Sequence, residues 1–307
     1  MSKLLSIVIP AFNEQDLIKI AYDTISRSLK DITVDYEIVF VDDGSKDNTY
    51  RQICELVAEG HDNVHGLSFS RNFGKESAIF AGLKEAKGDC CVVMDCDMQH
   101  PPTVIPEMLR LWQDEGFQIV EGVKSSRGRE SLVYKCFAGF FNWLIKHFSH
   151  IDLNDASDFM LLDRTVVDSL LDMPERAPFF RGLARWVGFK SVRLPFEVAE
   201  RQVGTSKWST KGLIKYAIHN ITIFSATPLQ LVTVFGILFV IMSLFVGGEA
   251  LYRYFNGTAL GGFTTVITLI LLSSGLIMIS LGIIGLYIAQ IYDEIKARPR
   301  YIIKERC

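Results

Sequence analysis

Over the first two hundred or so positions, short continuous apolar runs alternate with longer stretches in which apolar residues recur at helical spacing. The runs read LSIVIP, YEIVFV, VHGLSF and CCVVM, and each leads into a polar loop rich in Asn, Asp or Gly. Short runs that are apolar on both alternations suit strands buried on both faces, and strands interleaved with amphipathic helices suit a mostly parallel sheet covered by helices. In such sheets ligands sit beyond the carboxyl ends of the strands. The loops at Phe12 to Glu14, Asp42 to Asp47 and Asp95 to His100 are therefore expected along one edge.

The pattern changes after residue 228. Leu229–Gly248 and Phe263–Ile291 contain no charged residue, and a helix of about 20 residues covers the roughly 30 Å of a bilayer core. Two transmembrane helices are predicted, with Glu249 and Arg253 in the connector and a basic tail holding Lys296, Arg298, Arg300, Lys304 and Arg306. The positive-inside rule puts both termini and the first domain on the cytoplasmic side. Leu213, Ile214, Ala217, Ile218, Ile221 and Phe224 form a helical stripe suited to the headgroup region. A similar stripe from Phe137 to Phe148 fits either the membrane or the sheet.

Four segments follow: a catalytic domain over 1–208, an interfacial helix over 209–228, two spans with a connector over 229–291, and a cytoplasmic tail over 292–307. A net charge of −3 over 307 residues gives no global basic field, which argues against a nucleic-acid partner. The six cysteines show no CxxC spacing and read as reduced thiols. The apolar stretch in MSKLLSIVIPAFNE is short and broken by Pro10, so no cleaved signal peptide is expected.

The most informative segment is VVMDCDMQHPP. Alternate side chains of an extended backbone point the same way, so Asp95, Asp97 and Gln99 can offer oxygens to one hard cation, Mg²⁺ or Mn²⁺, with a substrate diphosphate completing the shell. The plainer alternative is that the acids cap the helix starting near Pro101 or Pro102. His100 is a nitrogen donor, which hard cations disfavour, and is expected to be structural. Asp42 and Asp43 can accept hydrogen bonds from a base or ribose, Asp43-Gly44 is a turn pair, and Ser45 or Asp47 suits an N-cap.

Taken together, PAFNE, VDDGSKDNT, SRNFGKESAIFAGL, DCDMQHPP, SDFMLLDR, RQVGTSKW and RPRYIIK resemble the family 2 glycosyltransferases that glycosylate polyprenyl phosphates, such as dolichyl-phosphate mannose synthases and bactoprenol glucosyltransferases. The resemblance implies an α/β fold of the GT-A, Rossmann-like type. It puts Pro10, Phe12, Glu14, Asp42 and Asp43 around the nucleotide, with Cys96 and Lys124 completing the donor set and Asp95, Asp97 and Gln99 at the metal. Cys96 stands where the family usually has Ala or Gly. Arg127, Arg129, Arg201 and Lys207 would meet the acceptor phosphate, since Arg binds phosphate as a fork and Lys as a point charge. Asp158 matches the residue proposed as catalytic base, although a phosphate monoester with a second pKa near 6 needs little deprotonation. The alternatives for Asp158 are a residue that orients the acceptor, or a strand-end acid pairing with Arg164.

The implied reaction is inverting transfer of a hexose, with UDP-glucose as the expected donor, to undecaprenyl phosphate for cell-surface glycan modification. The expected setting is the inner membrane, as a multi-pass homo-oligomer, a tetramer by resemblance. A processive polysaccharide synthase shares the core but carries a QxxRW motif, which this sequence lacks. A non-catalytic membrane scaffold is the remaining alternative, and the intact Asp95, Asp97 and Asp158 speak against it.

Overall fold

A computed structural model describes residues 3–30, 32–124, 157–176, 178–197, 227–256 and 262–307. The chain forms β1 (Leu4–Ala11), α1 (Ile18–Ser28), β2 (Asp35–Asp42), α2 (Thr49–Ala58), β3 (Val64–Phe69), α3 (Lys75–Glu85) and β4 (Cys90–Val93). A 3-10 turn at Pro102–Val104 leads into α4 (Ile105–Gln113) and β5 (Ile119–Lys124). Further on come β6 (Met160–Asp163), α5 (Arg164–Leu171), α6 (Phe180–Trp186) and β7 (Ser191–Phe196). Two long helices, α7 (Thr227–Phe255) and α8 (Phe263–Ile295), precede a last strand, β8 (Ile303–Arg306).

The strands make one sheet of eight in the order β7-β5-β6-β4-β1-β2-β3-β8. The four apolar runs are its parallel centre, with β1 between β2 and β4 and β3 outside β2. Their composition explains their position: Ile38 and Phe40 of β2 join one core while Val39 and Val41 join another on the opposite face. Pro10 lies past the last β1–β4 pair, Val8↔Val93. There the ladder on that side has ended, and a residue without an N–H is tolerated.

The outer strands depart from the expected pattern. β6 runs antiparallel to both β4 and β5, and β8 runs antiparallel to β3. The segment expected as a basic tail therefore divides: α8 continues to Ile295, and residues 303–306 return to the sheet. There the Gly66 N–H donates to the Cys307 carbonyl at 2.7 Å and the Cys307 N–H to the Gly66 carbonyl at 3.0 Å, and Tyr301 stacks on Phe69. The expectation of six reduced thiols is corrected as well: Cys54 of α2 and Cys307 form a disulfide, while Cys90, Cys91 and Cys96 are free and buried.

The chain divides into two units, the sheet with its helices and β8, and the pair α7 and α8. Both long helices are apolar and long enough to cross a membrane, and they carry exposed apolar side chains such as Leu244, Phe245 and Ile279. Helix α7 runs beyond the expected end of its span: Glu249 and Arg253, expected in a connector, pair one turn apart within the helix. The expected interfacial helix lies outside the described residues except for Thr227 and Pro228, which open α7. The stripe from Phe137 to Phe148 is also outside them.

Candidate active site

At the carboxyl edge of the sheet, side chains lock the loops to one another. Asn13 gives its N–H to Ser45 Oγ at 2.8 Å, and its Oδ1 accepts the Lys46 N–H at 2.9 Å. Thr49 Oγ1 accepts the Glu14 N–H at 2.9 Å. Asp47 accepts the Thr49 N–H at 3.0 Å, but the N-cap position of the helix is Asn48, without a side-chain bond. Neither Ser45 nor Asp47 is the N-cap, and Ser45 serves the first loop instead. Gly44 has φ +67, and a Cβ there would run into the Arg71 backbone, so the Asp43-Gly44 turn requires glycine.

The two acids after β2 are buried and occupied. Asp42 accepts from the Ser45 N–H at 3.0 Å and the Ser68 hydroxyl at 2.7 Å. Asp43 accepts the N–H groups of Phe73 at 2.7 Å and Gly74 at 2.9 Å. Asp43 thereby fixes the loop that delivers Lys75.

Asp95 directly follows Met94, the residue after β4, and the backbone then turns at Cys96 and Asp97 and passes through Met98 in the left-handed region, φ 57. The extended geometry expected for 95–99 is thus replaced by a turn, closed by the Gln99 N–H donating to Asp97 at 3.1 Å. Burial still alternates through the turn: Cys96 and Met98 are buried while Asp95, Asp97 and Gln99 are only partly so. The acids do not cap the helix at Pro102, whose N-cap position is Pro101 with no side-chain bond.

Two cations converge on Asp158, which is buried. Lys75 Nζ lies 2.6 Å from its Oδ2, and Arg181 Nε lies 2.5 Å from its Oδ1. Burial pushes this carboxyl upward, but Lys75 and then Arg181 outweigh it and hold it well below the usual carboxylate range. The alternative partner, Arg164, is engaged elsewhere, on the carbonyls of Ala86 and Gly88. The same Lys75 ammonium sits 2.5 Å from Asp95 Oδ1, so one lysine links the loop after β4 to the segment before β6.

His100 makes a second link. Its Nδ1 accepts the Asp95 N–H at 3.2 Å, which leaves Nε2 to carry the proton toward Ser157 Oγ at 3.2 Å. The ring stacks on Phe159, and burial lowers its pKa. A neutral, buried imidazole is a structural fastener, in line with the expectation.

Among the other expected residues, Phe12 is exposed at the loop edge, and Lys124 is exposed at the end of β5. Burial pushes the Glu14 carboxyl up to about 7, opposed by a hydrogen bond from Cys96 and reinforced by Asp95 and Asp97. Cys96 therefore has a contact that Ala or Gly in its place could not make. Arg127, Arg129, Arg201 and Lys207 lie outside the described residues. Lys75 and Arg181 were absent from the expected set. Lys75 stands inside a quoted motif, SRNFGKES, but its partner Asp158 is 83 positions away, and Arg181 belongs to no motif.

Among the described residues no three His, Cys, Asp or Glu side chains are arranged to enclose a metal. A site that takes only part of its shell from protein needs fewer. Asp95 Oδ1 suits that role, since it already faces a positive charge, the Lys75 ammonium at 2.5 Å.

The sequence model of the family described as Glycosyl transferase family 2 matches residues 6–159. The prophage bactoprenol glucosyl transferase homolog of Escherichia coli is 37% identical over 98% of this chain and 98% of its own length. A bactoprenol glucosyl transferase derived from the SfII prophage of Shigella flexneri is 36% identical over 98% of this chain and 97% of its own. Among solved structures, glucosyl-3-phosphoglycerate synthase from Mycobacterium tuberculosis, in complex with Mn²⁺, UDP and glucosyl-3-phosphoglycerate, superposes with a TM-score of 0.52 at 22% identity, covering 72% of this chain and 78% of that one.

Proposed function

Because the chain belongs to glycosyl transferase family 2, an enzyme family of the GT-A fold, we propose that it transfers glucose from UDP-glucose to the phosphate of a polyprenyl carrier, undecaprenyl phosphate. Relatives that match over nearly the full length carry the name bactoprenol glucosyl transferase, and the two long apolar helices suit a lipid acceptor. The catalytic domain and both termini face the cytoplasm in this reading, by the positive-inside rule, and the enzyme works as a homo-oligomer.

The observation that carries the reading is Asp158, a buried carboxylate gripped by Lys75 and Arg181 beside Asp95. A carboxylate held so far below its usual range is a weak base. The acceptor phosphate, with a second pKa near 6, is already largely dianionic at neutral pH. Asp158 therefore holds two cations in place and leaves the attack to the phosphate itself. A phosphate oxygen forms a bond to the anomeric carbon as the bond to the nucleoside diphosphate breaks on the opposite face, so configuration inverts.

Asp95, Asp97 and Gln99 hold Mg²⁺ or Mn²⁺ in this reading. The cation supplies Lewis-acid stabilisation of charge on the departing diphosphate. Pro10, Phe12, Glu14, Asp42, Asp43, Cys96 and Lys124 shape the donor pocket, and Arg127, Arg129, Arg201 and Lys207 meet the acceptor. The test is Asp97→Ala in the full chain, with radiolabelled UDP-glucose, undecaprenyl phosphate and lipid extraction. Loss of labelled lipid with an unchanged melting midpoint is expected. Full transfer would reject the metal assignment, and a panel of other nucleotide-sugars checks the donor.

A further inference from the structure

We propose that Lys75 is a built-in counter-cation that competes with a divalent ion for Asp95 and so keeps the ion out until a nucleoside diphosphate arrives. The inference rests on the metal reading above and deepens it.

The geometry begins at Asp43. Its carboxylate takes the N–H groups of Phe73 and Gly74, which fixes the start of α3 and aims Lys75 into the cleft. From there the ammonium reaches Asp95 Oδ1 at 2.5 Å and Asp158 Oδ2 at 2.6 Å. The contact with Asp95 brings opposite unit charges together at 2.5 Å.

An ammonium is a compact point charge, and a hard dication seeks the same carboxylate oxygen. Both cannot rest against Asp95 Oδ1 without strong repulsion. The lysine has somewhere to go, because its side chain is 40% exposed and Asp158 remains as a partner. A nucleoside diphosphate brings enough negative charge to reverse the preference. The dication then takes Asp95, and Lys75 stays with Asp158 on the acceptor side.

The experiment measures Mn²⁺ binding to the full chain in detergent by electron paramagnetic resonance, with and without UDP. In the absence of UDP, Lys75→Met should bind Mn²⁺ about tenfold more tightly than wild type, since it removes a unit charge at contact distance. With UDP the two should converge. Lys75→Arg retains the charge and should bind as weakly as wild type, and Asp158→Asn, which leaves the ammonium to Asp95 alone, should bind more weakly still. Equal or weaker Mn²⁺ binding by a folded Lys75→Met, or tight binding by Lys75→Arg, overturns the proposal while leaving the metal reading intact. No Mn²⁺ binding by any of these proteins, even with UDP, removes the metal reading and this inference with it.

Discussion

Arg181 grips Asp158 with two guanidinium nitrogens, Nε at 2.5 Å from Oδ1 and Nη2 at 2.8 Å from Oδ2. The fork matters because the carboxylate is buried and would otherwise rest on Lys75 alone among its described partners. Breaking a buried pair by removing one member costs on the order of 3 kcal/mol. Arg181→Ala should therefore lower the melting midpoint and abolish most transfer. Arg181→Lys keeps the charge without the fork and should fall between. An Arg181→Ala protein that melts with wild type would show that Asp158 does not depend on this partner.

Asp158 also has a defined response to pH. Its folded pKa lies below the ordinary value of 3.8, so the stability it contributes is complete above that value and is lost only as pH falls toward the lowered one. No inflection in the transfer rate between pH 6 and 8 should trace to this carboxyl. The acid limb should follow the acceptor phosphate, near pH 6. A phosphonate acceptor of higher pKa should move that limb upward; an unmoved limb would assign it to the protein.

Glu76 behaves in the opposite sense. It accepts the Phe180 N–H at 2.9 Å, and burial, followed by repulsion from Asp158, pushes its pKa from 4.5 up to about 7. The folded state thus binds this proton more tightly than the unfolded chain. The resulting stability is present below about 4.5 and disappears as pH rises through 7. Glu76→Gln keeps an oxygen for Phe180 and removes the titration. Its melting midpoint should gain on wild type between pH 5 and 8, and parallel curves would refute the shift.

What the sequence revealed, and what it hid, follows from where the information lies. β1 to β4 were legible because each is apolar on both faces, and Asp95 and Asp97 because they follow such a run, whereas Asp158 was marked only by the family resemblance of its motif. β8 was hidden, since Ile-Lys-Glu-Arg at a sheet edge leaves three of its four side chains in solvent and reads as a charged tail. Lys75 and Arg181 were hidden for another reason: their partner lies 83 and 23 positions away, and only the assembled sheet edge brings them together. The disulfide combined both difficulties, with 253 positions between Cys54 and Cys307.

Gly82 sets how closely α3 lies on the sheet. A Cβ there would overlap a methyl of Val8 and come to 3.2 Å from one of Val41. Gly82→Ala gains roughly 1 kcal/mol of helix propensity, but the overlap costs about 1–3 kcal/mol and pushes α3 outward. Because α3 begins with Lys75 and Glu76, the variant should lose transfer activity out of proportion to its stability. Unfolding and transfer measured on one preparation decide it; a variant more stable and fully active would show that α3 has slack.

The C-terminal strand is held in two ways that can be separated. Gly66 and Cys307 exchange backbone hydrogen bonds, Tyr301 stacks on Phe69, and the Arg300 guanidinium lies over the Phe80 ring. None of these contacts is covalent, so each should survive reduction of the Cys54–Cys307 disulfide. Reduction removes only the covalent closure, for which a typical contribution is about 2–4 kcal/mol. Dithiothreitol should therefore lower the unfolding midpoint of the oxidised protein without releasing the strand under native conditions. Cys54→Ser with Cys307→Ser should match the reduced protein and no longer respond to dithiothreitol. Deleting residues 303–307 should cost more than either, since the edge of β3 and the Tyr301 face would open together. If reduction leaves the midpoint unchanged, the noncovalent contacts hold the strand unaided.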